Sequence, residues 1–307
     1  MTVLALQIGG ADIAAGSVGG EDAEVLRVPV PVRGAWDSCR DLLLETAAGG
    51  DVTAVGIACE GPIDMAAGVV APAGIAQWRT GFGLVDAVQK LFPTAAVQLA
   101  LDGVCLAMAE RTFGATRSVM DSLAISLSEH IGGGITIGGF GVVGRTGNGG
   151  NVGHVLVPGF DEPCDCGGRG CLEAVAGGAA VLRWARSQGW SGESMGALVD
   201  SAGAGERAAA VAIARAGTAV GLAISSVAAL LDLDLVVVGG DLITAGPLLW
   251  KPLGQAVAAH ARLGYLPGLR VVPSELGENA VLLGAGVLGL SVEAAANARS
   301  QSVANSQ

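Results

Sequence analysis

Positive charge is scarce in this chain: 17 Lys and Arg stand against 28 Asp and Glu in 307 residues, a net charge of -11. Nucleic-acid binding needs a basic face that displaces counterions, so no nucleic-acid partner is expected. Nor does any helix-turn-helix segment fit ahead of the first strand-like run, VLALQI. Long apolar runs are missing as well. The stretch around 235–238 is short and interrupted by Asp, and Met1 leads straight into VLALQI without a basic region. Neither a membrane span nor a secretory leader is expected, and the chain reads as soluble and cytoplasmic. In that reducing compartment, clustered cysteines point to a metal site and not to a disulfide framework. Also absent is a GxGxxG following the first strand with an acid about 20 residues on, which excludes a Rossmann dinucleotide enzyme.

What is present is a globular composition, 51% hydrophobic and 15% charged, long enough for two domains with separate cores. The 50 glycines cluster at the ends of apolar runs, where they mark strand-to-loop turns. VLALQIGGADIAAGSV reads as two strands about a Gly-Gly turn. A helix over 36–48, a buried strand DVTAVGIAC, a turn at EGPID, a helix over 84–92 and a strand AAVQLAL ending on Asp102 follow, and 103–111 turns helical. A second α/β unit runs from SLAISLS through a glycine-rich IGGGI turn and a cysteine-bearing loop. Helices at 179–188 and 206–230, the strand LDLVVVGGD, a helix over 247–262, the strand LRVVPS and a closing helix from ENAVLLGAG complete it, with a Ser/Asn/Gln-rich tail expected to be disordered. Two similar halves, each opening on strands about a Gly-Gly turn, indicate a duplicated fold with a cleft between them. The expected division is a smaller domain over 1–112, completed by a closing helix at about 290–300, and a larger one over 113–289.

Three of six cysteines fall in PCDCGGRGCLE, with His154 ten residues before the first of them. His154, Cys164, Cys166 and Cys171 suit a tetrahedral zinc of the Cys3His type, and three glycines let the loop fold around one ion. Four protein ligands leave no open position for a reactive water, so the ion is structural and a zinc enzyme is not expected. The alternative is three buried thiols without metal, as Cys39, Cys59 and Cys105 look to be in their apolar segments.

GNGGNVGH followed by CDCGGRGCLE resembles the signature of the ROK family of repressors, open reading frames and kinases. QIGG, GIACEGPID, AQW before Asp102, IGGGI, VVVGGD and LLGAG fall in that family's order, so the resemblance spans essentially the whole chain. It implies an α/β, two-domain fold of the actin and hexokinase type, duplicated and ribonuclease H-like, with an interdomain cleft. It also implies an ATP-dependent kinase acting on a sugar or sugar-like polyol, with Mg-ATP beside the structural zinc, and a homodimer or homotetramer. Asp102 matches the general base of an Asn-Asp pair; without the family, an Asp there reads as a helix N-cap. His154 and Glu173 match sugar-hydroxyl contacts, Glu173 having a helix-capping role as its alternative, and Asn151 stands where the GExGH motif has Glu. Gly9, Gly10, Gly132, Gly133, Gly134, Gly239 and Gly240 match the nucleotide-binding turns.

The departures are equally legible. Gln7 replaces the acid of DxGGT that orients Mg-ATP, Ala11 its Thr, Ser128-Glu129-His130 the Gly-Thr-Gly of the second phosphate motif, and Leu101 the Asn before the base. Asp12 is the only acid nearby as a replacement at the phosphate loops, and Asp241 in GGD is an acidic intruder near the expected adenosine site. These losses support an alternative reading, a catalytically silent family member that binds a small ligand or a protein partner.

Overall fold

A computed structural model describes residues 2–19, 24–266 and 268–304. The chain divides into two compact units, one of residues 1–113, 141–150 and 278–307, the other of 114–140 and 151–277. The division differs from the sequence expectation. The segment 141–150 returns to the first unit, where the Asn148 side chain bonds both backbone groups of Ile63, and the closing helix enters that unit from its first turn.

In the first unit, β1 (Thr2–Ile8) and β2 (Asp12–Val18) form the expected hairpin, and β3 (Val25–Pro29) extends it. Helix α1 (Ala35–Ala47) leads to β4 (Val52–Cys59), whose eight residues are apolar or β-branched apart from one glycine. Three two-residue strands, β5 (Ile63–Asp64), β6 (Val69–Val70) and β7 (Phe82–Gly83), make a small sheet. Helix α2 (Leu84–Leu91), β8 (Ala96–Leu101) and α3 (Asp102–Thr112) follow. The main sheet has the order β3-β2-β1-β4-β8, with β1, β4 and β8 parallel.

In the second unit, β9 (Ser122–Leu127), β10 (Ile131–Ile137) and β11 (Phe140–Gly141) precede the cysteine loop. Then come α4 (Leu172–Ala176), α5 (Gly178–Ser187), α6 (Met195–Gly203), α7 (Arg207–Leu231), β12 (Leu235–Gly239), α8 (Pro247–His260) and β13 (Arg270–Pro273). The sheet order β11-β10-β9-β12-β13 repeats the plan of the first. Sequence periodicity missed α6, a nine-residue helix whose N-cap Ser194 accepts from the Ala197 N–H at 3.2 Å.

One expectation fails on helices. The closing helix, α9 (Ala280–Ala304), continues through most of the tail expected to be disordered; residues 305–307 lie outside the described residues. Moreover, α7 and residues 277–299 are long and apolar enough to cross a membrane by length and composition. Their small residues instead serve close packing within a unit. In α7, a Cβ at Gly217 or Gly221 would come within 2.5 Å of the α8 carbonyl oxygen of Leu249 or Leu253, so these glycines let the two helices touch backbone to backbone.

Candidate functional site

The C-terminal ends of the parallel strands β1, β4 and β8 share one sheet edge, where open α/β sheets bind ligands. Gly9, Gly10 and Ala11 form the turn from β1 to β2, and the Gly9 N–H donates to the Asp12 carbonyl at 2.9 Å. Asp102 opens α3 directly after β8. It is not a side-chain N-cap: Leu101 holds that position, and Asp102 Oδ1 accepts from the Gly103 N–H at 2.6 Å. Leu101 is a core residue of the unit, 2% exposed.

Gln7, in the place of the expected acid, has a buried Oε1 with no hydrogen-bond partner. Asp12 is engaged: Arg27 Nη1 donates to its carboxylate at 2.7 Å, and Arg27 Nη2 donates to Asn279 Oδ1 at 2.7 Å. Glu60, at the end of β4, was passed over by sequence reasoning, although an acid directly after a buried strand was a readable signal. Its N–H donates to the Ile8 carbonyl at 3.1 Å. The neighbouring Cys59 thiol is pushed well above its usual range, first by burial and then by the negative charges of Glu60 and Asp102.

In the second unit, the turn joining β9 to β10 is Ser128-Glu129-His130. Gly132, Gly133 and Gly134 are not in that turn, contrary to expectation; they pair with Ser126, Ile125 and Ala124 of β9. Flanking Ile131 and Ile135 keep the segment extended, because β-branched residues favour a pleated surface. Gly239 ends β12 and Gly240 has a φ of 91°; a Cβ there would lie 2.5 Å from the Leu127 backbone, so only glycine lets the strand end reach the turn. Beside the turn is a pocket of about 540 Å³ whose lining includes Ser128, Glu129, Arg183, Arg186, Glu193 and Asp241. That is the size of an ordinary small-molecule site.

Glu173 grips the same turn. Its Oε1 lies 3.0 Å from His130 Nδ1, and its Oε2 accepts from the Ile131 N–H at 2.7 Å. It does not cap α4, which has no side-chain cap. Asn151 Oδ1 and Glu173 Oε2 each lie 3.5 Å from where a Cβ on Gly153 would be, so these two groups converge on one glycine. His154 follows, with Nδ1 turned to Cys164 Sγ at 3.8 Å.

His154, Cys164, Cys166 and Cys171 bring their ligand atoms within 4.8 Å of one another. Cys166 and Cys171 Sγ are 3.8 Å apart, the spacing of two sulfurs each about 2.3 Å from one tetrahedral zinc. A hydrogen bond from the Gly168 backbone lowers the Cys166 thiol, while burial pushes Cys171 up to about 12 and raises Cys164. Thiols so close cannot all ionise alone; a cation among them reverses that preference, so the donor set fits zinc. Arg215 of α7 braces the loop: its guanidinium lies 4.8 Å from the Phe160 ring and 5.3 Å from that of Trp184, and it pairs with Glu162.

A family model described as ROK family matches residues 3–291. A glucokinase of Thermotoga maritima is 30% identical over 308 residues, covering 93% of this chain and 96% of its own. A kanosamine kinase of Amycolatopsis mediterranei is 33% identical over 77% of each chain. Among solved structures, a ROK family glucokinase from Streptomyces griseus in complex with glucose and AMPPNP superposes with a TM-score of 0.83 at 27% identity, covering 95% of this chain and 100% of that one.

Proposed function

This chain belongs to the ROK family, and from that membership we propose that it is an ATP-dependent kinase that phosphorylates a hydroxyl of a sugar or sugar-like polyol. The observation that carries the reading is the place of Asp102, a half-buried carboxylate at the C-terminal edge of three parallel strands, where a general base belongs. The glucokinase and kanosamine kinase relatives support the substrate class.

In this mechanism Asp102 takes the proton of the substrate hydroxyl, whose oxygen then attacks the γ-phosphorus of ATP. The bond to the ADP oxygen breaks, and Asp102 returns its proton to solvent. Glu173 and Asn151 accept from substrate hydroxyls, and His154 meets one through Nε2, since Nδ1 faces the thiol cluster. Zinc, when bound by His154, Cys164, Cys166 and Cys171, neutralises the thiolates and fixes the loop that carries His154. The nucleotide occupies the second unit's pocket beside Ser128-Glu129-His130, where Gly240 lets the end of β12 come close to the turn. The Ile131 N–H is committed to Glu173, so it is not a phosphate donor here.

A coupled ADP-release assay over aldohexoses, amino sugars and N-acetylated amino sugars tests the reading, with Asp102→Asn as control. Turnover that requires Asp102 supports it. No turnover and no nucleotide binding, in folded protein carrying one zinc per chain, favours the silent ligand-binding alternative that the changes at Gln7, Ala11, Leu101 and Glu129 suggest.

A further inference from the structure

The loss of the acid at Gln7 leaves the kinase reading without its magnesium-facing carboxylate, and sheet register identifies a replacement. In the first unit's sheet Gln7 pairs with Ala58 of β4, and Ala58 pairs with Ala100 of β8. Paired residues of parallel strands share a face, and alternation repeats every second residue. The next positions in that phase, at the strand ends, are Gly9, Glu60 and Asp102. The same phase runs the other way through Ala14 of β2 to Arg27 of β3. One face of the sheet end therefore carries Arg27, Asp12, Gln7, Glu60 and Asp102.

Asp12 does not fill the gap, because its charge is matched by Arg27 at 2.7 Å. Glu60 stands on the strand adjacent to β1, tied to it through the Ile8 carbonyl, and is half-buried. The Gln7 Oε1 atom, buried with no partner, marks the same place as short of a donor or a cation.

We propose that Glu60 supplies, from the neighbouring strand, the carboxylate that orients the magnesium of Mg-nucleotide in this chain. The inference rests on the kinase reading above. Magnesium holds ligands in strict octahedral geometry and keeps several waters, so one carboxylate carried a strand away can serve through water where a direct ligand cannot.

The test is calorimetric binding of AMP-PNP to zinc-loaded protein with and without magnesium, in wild type, Glu60→Gln, Asp12→Asn and Glu60→Gln/Gln7→Asp. In wild type, magnesium should tighten nucleotide binding. Glu60→Gln should lose about tenfold of that gain while magnesium-free binding is kept, and adding Gln7→Asp should restore it. Should Glu60→Gln fold poorly, Glu60→Asp keeps the charge with a shorter reach and should show a partial loss. An unchanged magnesium gain in Glu60→Gln, or its loss in Asp12→Asn instead, overturns the inference while leaving the kinase reading intact. Wild-type protein that binds no nucleotide at millimolar concentration overturns both.

Discussion

At the scale of the residue, the proposed chemistry turns on two carboxylates, Asp102 and Glu173. Asp102→Asn keeps the shape and the contact with Gly103 but removes the proton acceptor. We expect kcat to fall by a factor of about 10² to 10⁴ with KM little changed, read in the coupled assay. Glu173 is held by His130 and Ile131, so His130→Gly, which restores the family's residue in the turn, frees one oxygen. KM for the sugar should then change more than KM for ATP; the reverse result would detach His130 from substrate placement. Arg215 is a structural counterpart: Arg215→Met leaves Glu162 without its partner and removes two cation-ring contacts. A loss of about 2 kcal/mol in urea melts is expected.

At the scale of the element, spacing within a helix or loop sets what can approach. Gly221→Ala places a methyl where the α8 backbone stands, and the two helices must part. Overpacking of that kind costs about 1–3 kcal/mol, so the urea midpoint should fall with the m-value unchanged. The cysteine loop has no large core of its own; Cys164, Cys171 and Ala174 form its small buried cluster. Cys166→Ser should lose the metal, measured by atomic absorption, and raise hydrogen exchange over 155–176. Retained zinc with unchanged exchange would remove the loop from the metal assignment. The element-level sequence reading was good where apolar periodicity was strong, as in β4 and α7, and failed at α6 and at the tail of the chain's last helix. There Ser, Gly and Gln read as loop, while the Ser194 cap starts α6 and the last helix runs on through residues exposed to solvent.

At the scale of the whole molecule, the first unit carries three buried thiols, Cys39, Cys59 and Cys105. Burial pushes Cys39 up to about 12 and raises Cys59 and Cys105 as well. Each keeps its proton when folded and releases it near pH 9 when unfolded, so the unfolded chain binds fewer protons above that pH. Their contribution is therefore fully present below about pH 9 and is lost as pH rises toward their folded values. The slope is about 1.4 kcal/mol per pH unit for each thiol. Urea melts at about pH 8 and pH 10 should show this loss, and Cys39→Ala should lessen it by the share of one thiol.

By itself the sequence determined the ROK family, the duplicated α/β plan, the cysteine cluster and the base candidate at Asp102, because each is written in local spacing or short motifs. It also showed that the acid expected at position 7 was gone. It did not reveal Glu60, 53 positions from Gln7 along the chain, because only the parallel pairing of β1 with β4 brings these two strand ends together. Nor did it show that Asp12 is matched by Arg27, or that Glu173 holds the β9–β10 turn and does not cap its own helix. Those are long-range pairings, and the tertiary structure decides them because register and helix packing choose which polar groups meet.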